Sequence, residues 1–403
     1  MALISIYIHI PFCTRRCSYC DFNTYAGFNH LIPRYMDALV KEIEIVAGHV
    51  DKNDQVHTVF FGGGTPSLVP LEFFEKTLAT IQTCYSLQAG SEITLEANPG
   101  TVTGDYLQEL KRLGFSRISF GMQSANADDL RILERQHDFA QVKQSVTWAK
   151  EAGFAHINGD LIFGIPDQSL ESWQKSLEAA IDLGVDHLSL YSLTIEKGTP
   201  LEHAIGSGAI QSPDPDMTAT MFEYAIKHLP SRGFNQYEIS NWSIEKSNRS
   251  QHNLQYWILQ PYLGFGAGAH GYFNHNRMVN VNWILDYIDR IENNNGKPFD
   301  FSPAVLTRTR LSVWDEMQEF LMLGFRLTDE GISKAEFEGR FHYNLDELFS
   351  HQLKLLLKSE LIEIHPKDSD RLKLTDRGVL FGNRVFEEFV GNKEPAALKL
   401  SDQ

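Results

Sequence analysis

The sequence predicts an α/β protein, a partial (β/α)6-type TIM barrel followed by a small winged-helix-like α+β domain. Two observations carry that prediction. Apolar, β-rich runs alternate with amphipathic helical runs through the first two-thirds of the chain, and the alternation stops near residue 290 at a polar segment bearing Gly and Pro.

The β-rich runs are LISIYIHI (3–10), HTVFF (57–61), EITLEA (92–97), FSRISF (115–120), HINGDLIF (156–163), HLSLYSL (187–193) and QYEIS (236–240). Between them, PRYMDALVKEIEIVAG places Met36, Leu39, Val40, Ile43 and Val46 on one helical face. SLESWQKSLEAAIDLG starts at a Ser169 cap, shows Leu170, Trp173, Leu177 and Ile181, and stops at Gly184. GDYLQELKRLG likewise ends at Gly114 before the next strand. Continuous apolar strands alternating with such helices build a parallel sheet, and at least six βα units favour a full or partial barrel. The segment 293–303 reads as a linker. Residues 1–292 therefore form the barrel and 304–403 the second domain, where helical runs precede LIEIHPKDSDRLKLT, a hairpin with a charged turn. Winged helices often bind DNA. This one lacks a strong basic bias and is read as a structural or interaction element.

The chain has 403 residues, 42% hydrophobic and 22% charged, with a formal net charge of −16. An acidic balance argues against nucleic acid as the main partner. No run of roughly 18 apolar residues appears, so no transmembrane segment is expected. The N-terminal MALISIYIHIPFC lacks a basic region and a small-residue cleavage site, and reads as a strand and not a signal peptide. Four cysteines in a chain of this length, three of them clustered, do not make a disulfide framework. They point to a reducing compartment, read as cytoplasmic, and a metal or redox role.

Cys13, Cys17 and Cys20 fall in a C-x3-C-x2-C spacing within IPFCTRRCSYCDFN. A structural zinc site wants four protein ligands, and no second cysteine pair exists. His9 alternates with apolar residues in a strand, and His30 lies ten residues beyond the last cysteine. A [4Fe–4S] cube can be held by three cysteines when its fourth iron takes a non-protein ligand, so an iron–sulfur site is favoured over zinc. Placement just after the first strand sets it at the barrel's C-terminal face, where barrel chemistry sits. Cys84, in a helical run, reads as a small buried hydrophobe.

Cys13, Cys17 and Cys20, with Tyr19 before the last, resemble the signature of the radical S-adenosylmethionine (SAM) superfamily. That resemblance implies SAM chelating the open iron through its amino and carboxylate groups, and electron transfer from the reduced cluster to cleave it. Other strand ends carry polar groups at the same face. FFGGGTPS follows the second strand, and its glycines allow close approach to a ligand and free amides to bind it. Glu96 ends LEANPG's strand, Gln123 ends SFGMQS, Asp160 lies in NGDLIFGIP, and Arg135 in ERQHD. Each alone fits a cap or a surface polar group. Together the segments resemble the oxygen-independent coproporphyrinogen III oxidase family across nearly the whole chain. The resemblance implies that Tyr7, Gly63, Gly64, Thr65, Glu96, Gln123, Arg135 and Asp160 contact SAM.

Within that family the oxidases carry a further cysteine two places after the third ligand and an N-terminal extension. Here that place is Phe22, and the first cysteine is already residue 13. Both features resemble the HemW subfamily, the heme chaperones. QHNLQYWILQPYLGFGAGAHGY (251–272) contains H-N-x-x-Y-W at His252, Asn253, Tyr256 and Trp257, similar to that subfamily's heme-binding element. An imidazole can ligate heme iron and aromatic rings can pack on the macrocycle. The same residues also fit a histidine hydrogen-bonded to a neighbouring loop above a Tyr/Trp core. The resemblance implies a protein that holds heme and passes it to a membrane-bound or respiratory acceptor. The alternative is a radical-SAM enzyme that decarboxylates coproporphyrinogen III.

Overall fold

The structure is a computed structural model that describes residues 2–294 and 299–394. Its frame is six parallel strands, each followed by at least one helix. Strand β1 is Leu3–Ile10, β2 Gln55–Gly63, β3 Ser86–Ala97, β4 Arg117–Gln123, β5 His156–Phe163 and β6 His187–Ser192. They lie side by side in sequence order. The intervening helices are α1 (Ile32–Ala47), α2 (Leu71–Cys84), α3 (Gly104–Arg112), α4 (Ala127–Ile132), α5 (Phe139–Glu151) and α6 (Leu170–Asp182). Strand β1 shows why the layers form. Ile4, Ile6, Ile8 and Ile10 are fully buried in the main hydrophobic core, which also takes in helix residues such as Leu39, Leu78 and Trp173. The alternate residues meet the opposite, polar side, where Ser5 bonds His57 and Thr58, and Tyr7 bonds His9. Ser169 caps α6 by accepting from the Ser172 amide, and Gly114 turns the chain at φ +102°.

The sheet does not close. Beyond β6, Asn235–Glu238 (β7) and Asn241–Ser243 (β8) pair antiparallel, so the predicted seventh strand joins by a hairpin and not as a further βα unit. Beyond β1, Tyr262–Phe265 (β9) is parallel, followed by the antiparallel strands His270–Phe273 (β10), Asn276–Asn280 (β11) and Val305–Arg310 (β12). Helices α7 (Pro200–Gly206) and α8 (Pro215–His228) follow β6, and α9 (Gln251–Trp257) precedes β9.

A second apolar core gathers Trp314, Leu321, Phe325, Phe337 and Phe349 from the C-terminal helices with Leu372 and Leu374 of a hairpin. That hairpin pairs Ile362–Ile364 with Arg371–Leu374, and Ile332–Ser333 adds a third strand, giving the expected winged-helix-like unit. Residues 295–298 of the expected linker lie outside the described residues. Val305–Arg310 extends the barrel sheet, because it hydrogen-bonds to Asn276–Asn280. We therefore propose a domain boundary after Arg310 in place of 304. Cys84 ends α2 and is half-buried against the core, more open than its expected full burial.

Candidate cofactor site

The cysteine loop leaves β1 at Phe12–Cys13, which pairs with Tyr25–Ala26. Hydrogen bonds tie it to three neighbours. Ser18 donates to Ile132 O, the Leu201 amide donates to Ser18 O, and Asn23 donates to the carbonyls of Ala267 and Asn282. Cys13, Cys17 and Cys20 are all free and line one cavity of about 420 Å³ at the C-terminal ends of the parallel strands. Burial pushes the Cys13 and Cys20 thiols up from their ordinary value. Among the described residues, no three His, Cys, Asp or Glu side chains converge on a single-ion site. In a [4Fe–4S] cube each thiolate binds a different iron, so three cysteines spaced around a cavity fit the cluster better than they fit zinc.

The glycine loop works differently from its sequence reading. The Gly63 amide donates to Glu96 Oε2 (2.9 Å), Gly64 to Ile10 O (2.8 Å) and Thr65 to Phe12 O (2.8 Å). These amides bind protein and are not free for a ligand. The loop instead buttresses the cysteine loop. A Cβ on Gly64 would lie 2.7 Å from Phe12 O and 3.1 Å from Cys13 Sγ. Thr65 Oγ1 donates to Cys13 Sγ at 3.5 Å.

Gly63, Gly64, Thr65, Glu96, Gln123, Arg135, Asp160 and Tyr19 all line the cavity with the cysteines. Burial first, and Asp160 second, push the Glu96 carboxyl up to about 7. Burial also raises Asp160, which accepts from Ser119 Oγ (2.8 Å) and Asn158 Nδ2 (2.7 Å). Two carboxyls sharing one cavity suit a cationic ligand group. Arg135 donates to Cys17 Sγ (3.4 Å) and Gly121 O (2.9 Å), and contacts Asn98 Oδ1. Gln123 holds φ +65° at an irregularity in β4, a left-handed conformation costly for a non-glycine residue.

Tyr7 stays out of the cavity lining, and so do His252, Asn253, Tyr256 and Trp257. Sequence reasoning missed Asn98 and Gly121. Asn98 lay within the quoted LEANPG, and a polar residue just past a barrel strand was a usable signal. For Gly121 the need is steric. A Cβ there would come within 2.9 Å of Gln123 Nε2 and 3.1 Å of Arg135 Nη2.

The comparisons with known proteins bear on this geometry. Residues 7–180 match the radical SAM superfamily model, and residues 311–381 the HemN C-terminal domain. The heme chaperone HemW of Bacillus subtilis is 37% identical over 96% of this chain and 99% of its own. The chain belongs to the HemW family. The Escherichia coli heme chaperone HemW is 33% identical over 96% of this chain and 98% of its own. The fold matches that of the E. coli coproporphyrinogen III oxidase HemN with a TM-score of 0.83 at 22% identity, covering 97% of this chain and 90% of that one. Membership in a radical SAM family implies a [4Fe–4S] cluster and SAM, and the cysteine-lined cavity is where this chain's residues fit them.

The H-N-x-x-Y-W segment of this HemW-family chain lies at the opposite end of the barrel. Helix α9 packs against β2, and the His252 amide donates to Glu92 Oε1 at 3.0 Å. The His252 ring is 1% exposed, stacked on Phe60 at 4.8 Å. Its Nδ1 meets Thr58 Oγ1 at 2.8 Å and its Nε2 meets Tyr256 OH at 2.8 Å. Burial pulls its pKa down to about 3, so the ring is neutral with both nitrogens engaged. As folded, His252 presents no free lone pair to an iron. Trp257 instead underlies Arg326, whose guanidinium sits 4.3 Å from the indole centroid.

Proposed function

We propose that this protein holds heme and delivers it to an acceptor protein, on a scaffold that carries a [4Fe–4S] cluster and SAM. The observation that carries the reading is likeness over nearly the full length to relatives named as heme chaperones. The cavity supports it at one residue. Phe22, where the oxidase pattern has another cysteine, lines the cavity mouth and is 63% exposed. Cys13, Cys17 and Cys20 hold the cluster in this proposal. Glu96 and Asp160 face the cationic part of SAM, and Arg135 flanks the Cys17 ligand. Gly63, Gly64, Thr65, Gln123 and Tyr19 shape the walls, while Tyr7 acts from behind, through His9. We further propose a cytoplasmic protein with a membrane-bound or respiratory acceptor. Among the described residues no helix is long and apolar enough to cross a membrane.

Anaerobic incubation of the reconstituted protein with SAM, reductant and coproporphyrinogen III tests the reading against porphyrinogen oxidation. No protoporphyrinogen should form, and a parallel hemin titration should saturate near one heme per chain. Turnover without stoichiometric heme uptake would replace the chaperone with the oxidase.

A further inference from the structure

A second cavity of about 1230 Å³ opens between the end of β6, helix α8 and the C-terminal segment around Gly382–Glu387. It shares Ser192 and Leu193 with the cysteine-lined cavity. Binding cavities for small molecules commonly run about 300–1,000 Å³, so this one suits a large ligand. Its apolar wall includes Phe163 and Phe222, stacked 5.6 Å apart at 4°, and Phe381, which is 52% exposed. Arg326 supplies a cation. Its Nε has no hydrogen-bond partner, and Glu238 approaches only to 4.0 Å. The guanidinium lies over the rings of Trp257 and Phe386, 4.3 and 5.5 Å from their centroids. Glu223, Glu387 and Glu388 also line the cavity, and Arg384 is a second cation in its lining, so an incoming carboxylate would be received by the arginines and not at the glutamates. None of the described residues lining it is His, Cys, Met or Tyr.

We propose that this cavity is the heme site, and that it holds the tetrapyrrole by its faces and propionates and not through its iron. The proposal rests on the heme reading above. It gives Trp257 a positioning role, fixing Arg326 for a propionate. It also suits delivery, since no axial bond to the protein has to break when heme leaves.

The test is a titration of the full-length protein with hemin and, separately, with metal-free protoporphyrin IX, followed by absorbance and tryptophan quenching. Wild type should bind both with affinities within about threefold. Arg326→Gln should weaken both about tenfold, the scale of a lost charge-assisted hydrogen bond. Phe381→Ser, at an exposed side chain that folding does not require, should weaken both severalfold and decides the matter if Arg326→Gln fails to fold. Binding of hemin without protoporphyrin would mean that a metal–ligand bond holds heme, overturning this proposal while leaving the heme reading intact. Unchanged binding of both in Phe381→Ser and a folded Arg326→Gln would place the site elsewhere and also overturn it. If wild type takes up neither, the heme reading itself falls.

Discussion

The two ends of the barrel carry side chains that look equally like ligands in the sequence, and the fold treats them oppositely. At the C-terminal end, Cys13, Cys17 and Cys20 are free, and their loop is pinned by backbone and Ser, Thr and Asn contacts that leave the thiols facing a cavity. At the N-terminal end, His252 is closed over by Thr58, Tyr256 and Phe60, beside the buried Arg117–Glu92 pair. Thr65, Arg135 and Thr24 reach the three sulfurs at 3.4–3.9 Å yet leave them facing the cavity, whereas both nitrogens of His252 are taken up at 2.8 Å and the ring is sealed in. A ligand-type residue becomes a site where its ligand atom still faces open space. The predictions below press on that contrast.

The largest effect belongs to the cysteines. Cys17→Ala should bring iron and sulfide content after reconstitution down to background, because the described residues lining this cavity offer three thiolates and the cluster needs all of them. Retained cluster would point to a protein ligand outside the loop.

Next comes the closed end. Arg117 and Glu92 are 2% and 8% exposed and paired at 2.9 Å. Arg117→Met leaves Glu92 charged and buried with only the His252 amide, and should cost about 3–5 kcal/mol in denaturant unfolding. His252→Ala should cost about 2–3 kcal/mol through lost hydrogen bonds and a cavity, with cluster content unchanged. A loss of heme binding in a His252→Ala protein of undiminished stability would contradict the structural role.

The pH dependence is smaller and has a definite sign. Glu96 is raised from 4.5 to about 7, so the folded protein binds more protons than the unfolded chain between those values. Its contribution to stability is therefore most favourable below pH 4.5 and is lost as pH rises through 7. Glu96→Gln should stabilise the cofactor-free protein at pH 8. Binding of SAM has the opposite slope. The cationic ligand wants the ionised carboxylate, so affinity should fall by about tenfold per pH unit below 7 in calorimetry and flatten in Glu96→Gln. Flat binding in wild type would remove Glu96 from the ligand's cationic end.

The smallest change is expected at Cys84. It is half-buried at the end of α2, and Cys84→Ser should alter stability by under about 1 kcal/mol and leave the cluster intact.

The sequence made the barrel legible because its signals were local and repeated. Strands β1 and β5 appear with their expected bounds, and Ser169 caps α6 as read. It was less informative where partners come from afar. Nothing in VLTRTR says that 305–310 will pair with 276–280 and belong to the barrel sheet. The cysteine spacing is a local signature, whereas two of the three contacts that close off His252 come from Thr58 and Phe60, nearly two hundred positions away, and only Tyr256 is local. Glycine letters in FFGGGTPS suggested free amides, yet only the fold shows those amides directed to Glu96, Ile10 and Phe12.

The contrast between the ends is tested most directly by electron paramagnetic resonance of the reduced, reconstituted protein, before and after SAM is added, in wild type and in His252→Ala. A cluster at the open end should give a spectrum whose g-values move on SAM addition to the same extent in both proteins. A spectrum indifferent to SAM, or one whose response disappears with His252, would contradict the assignment of the cofactor site to the cysteine-lined cavity.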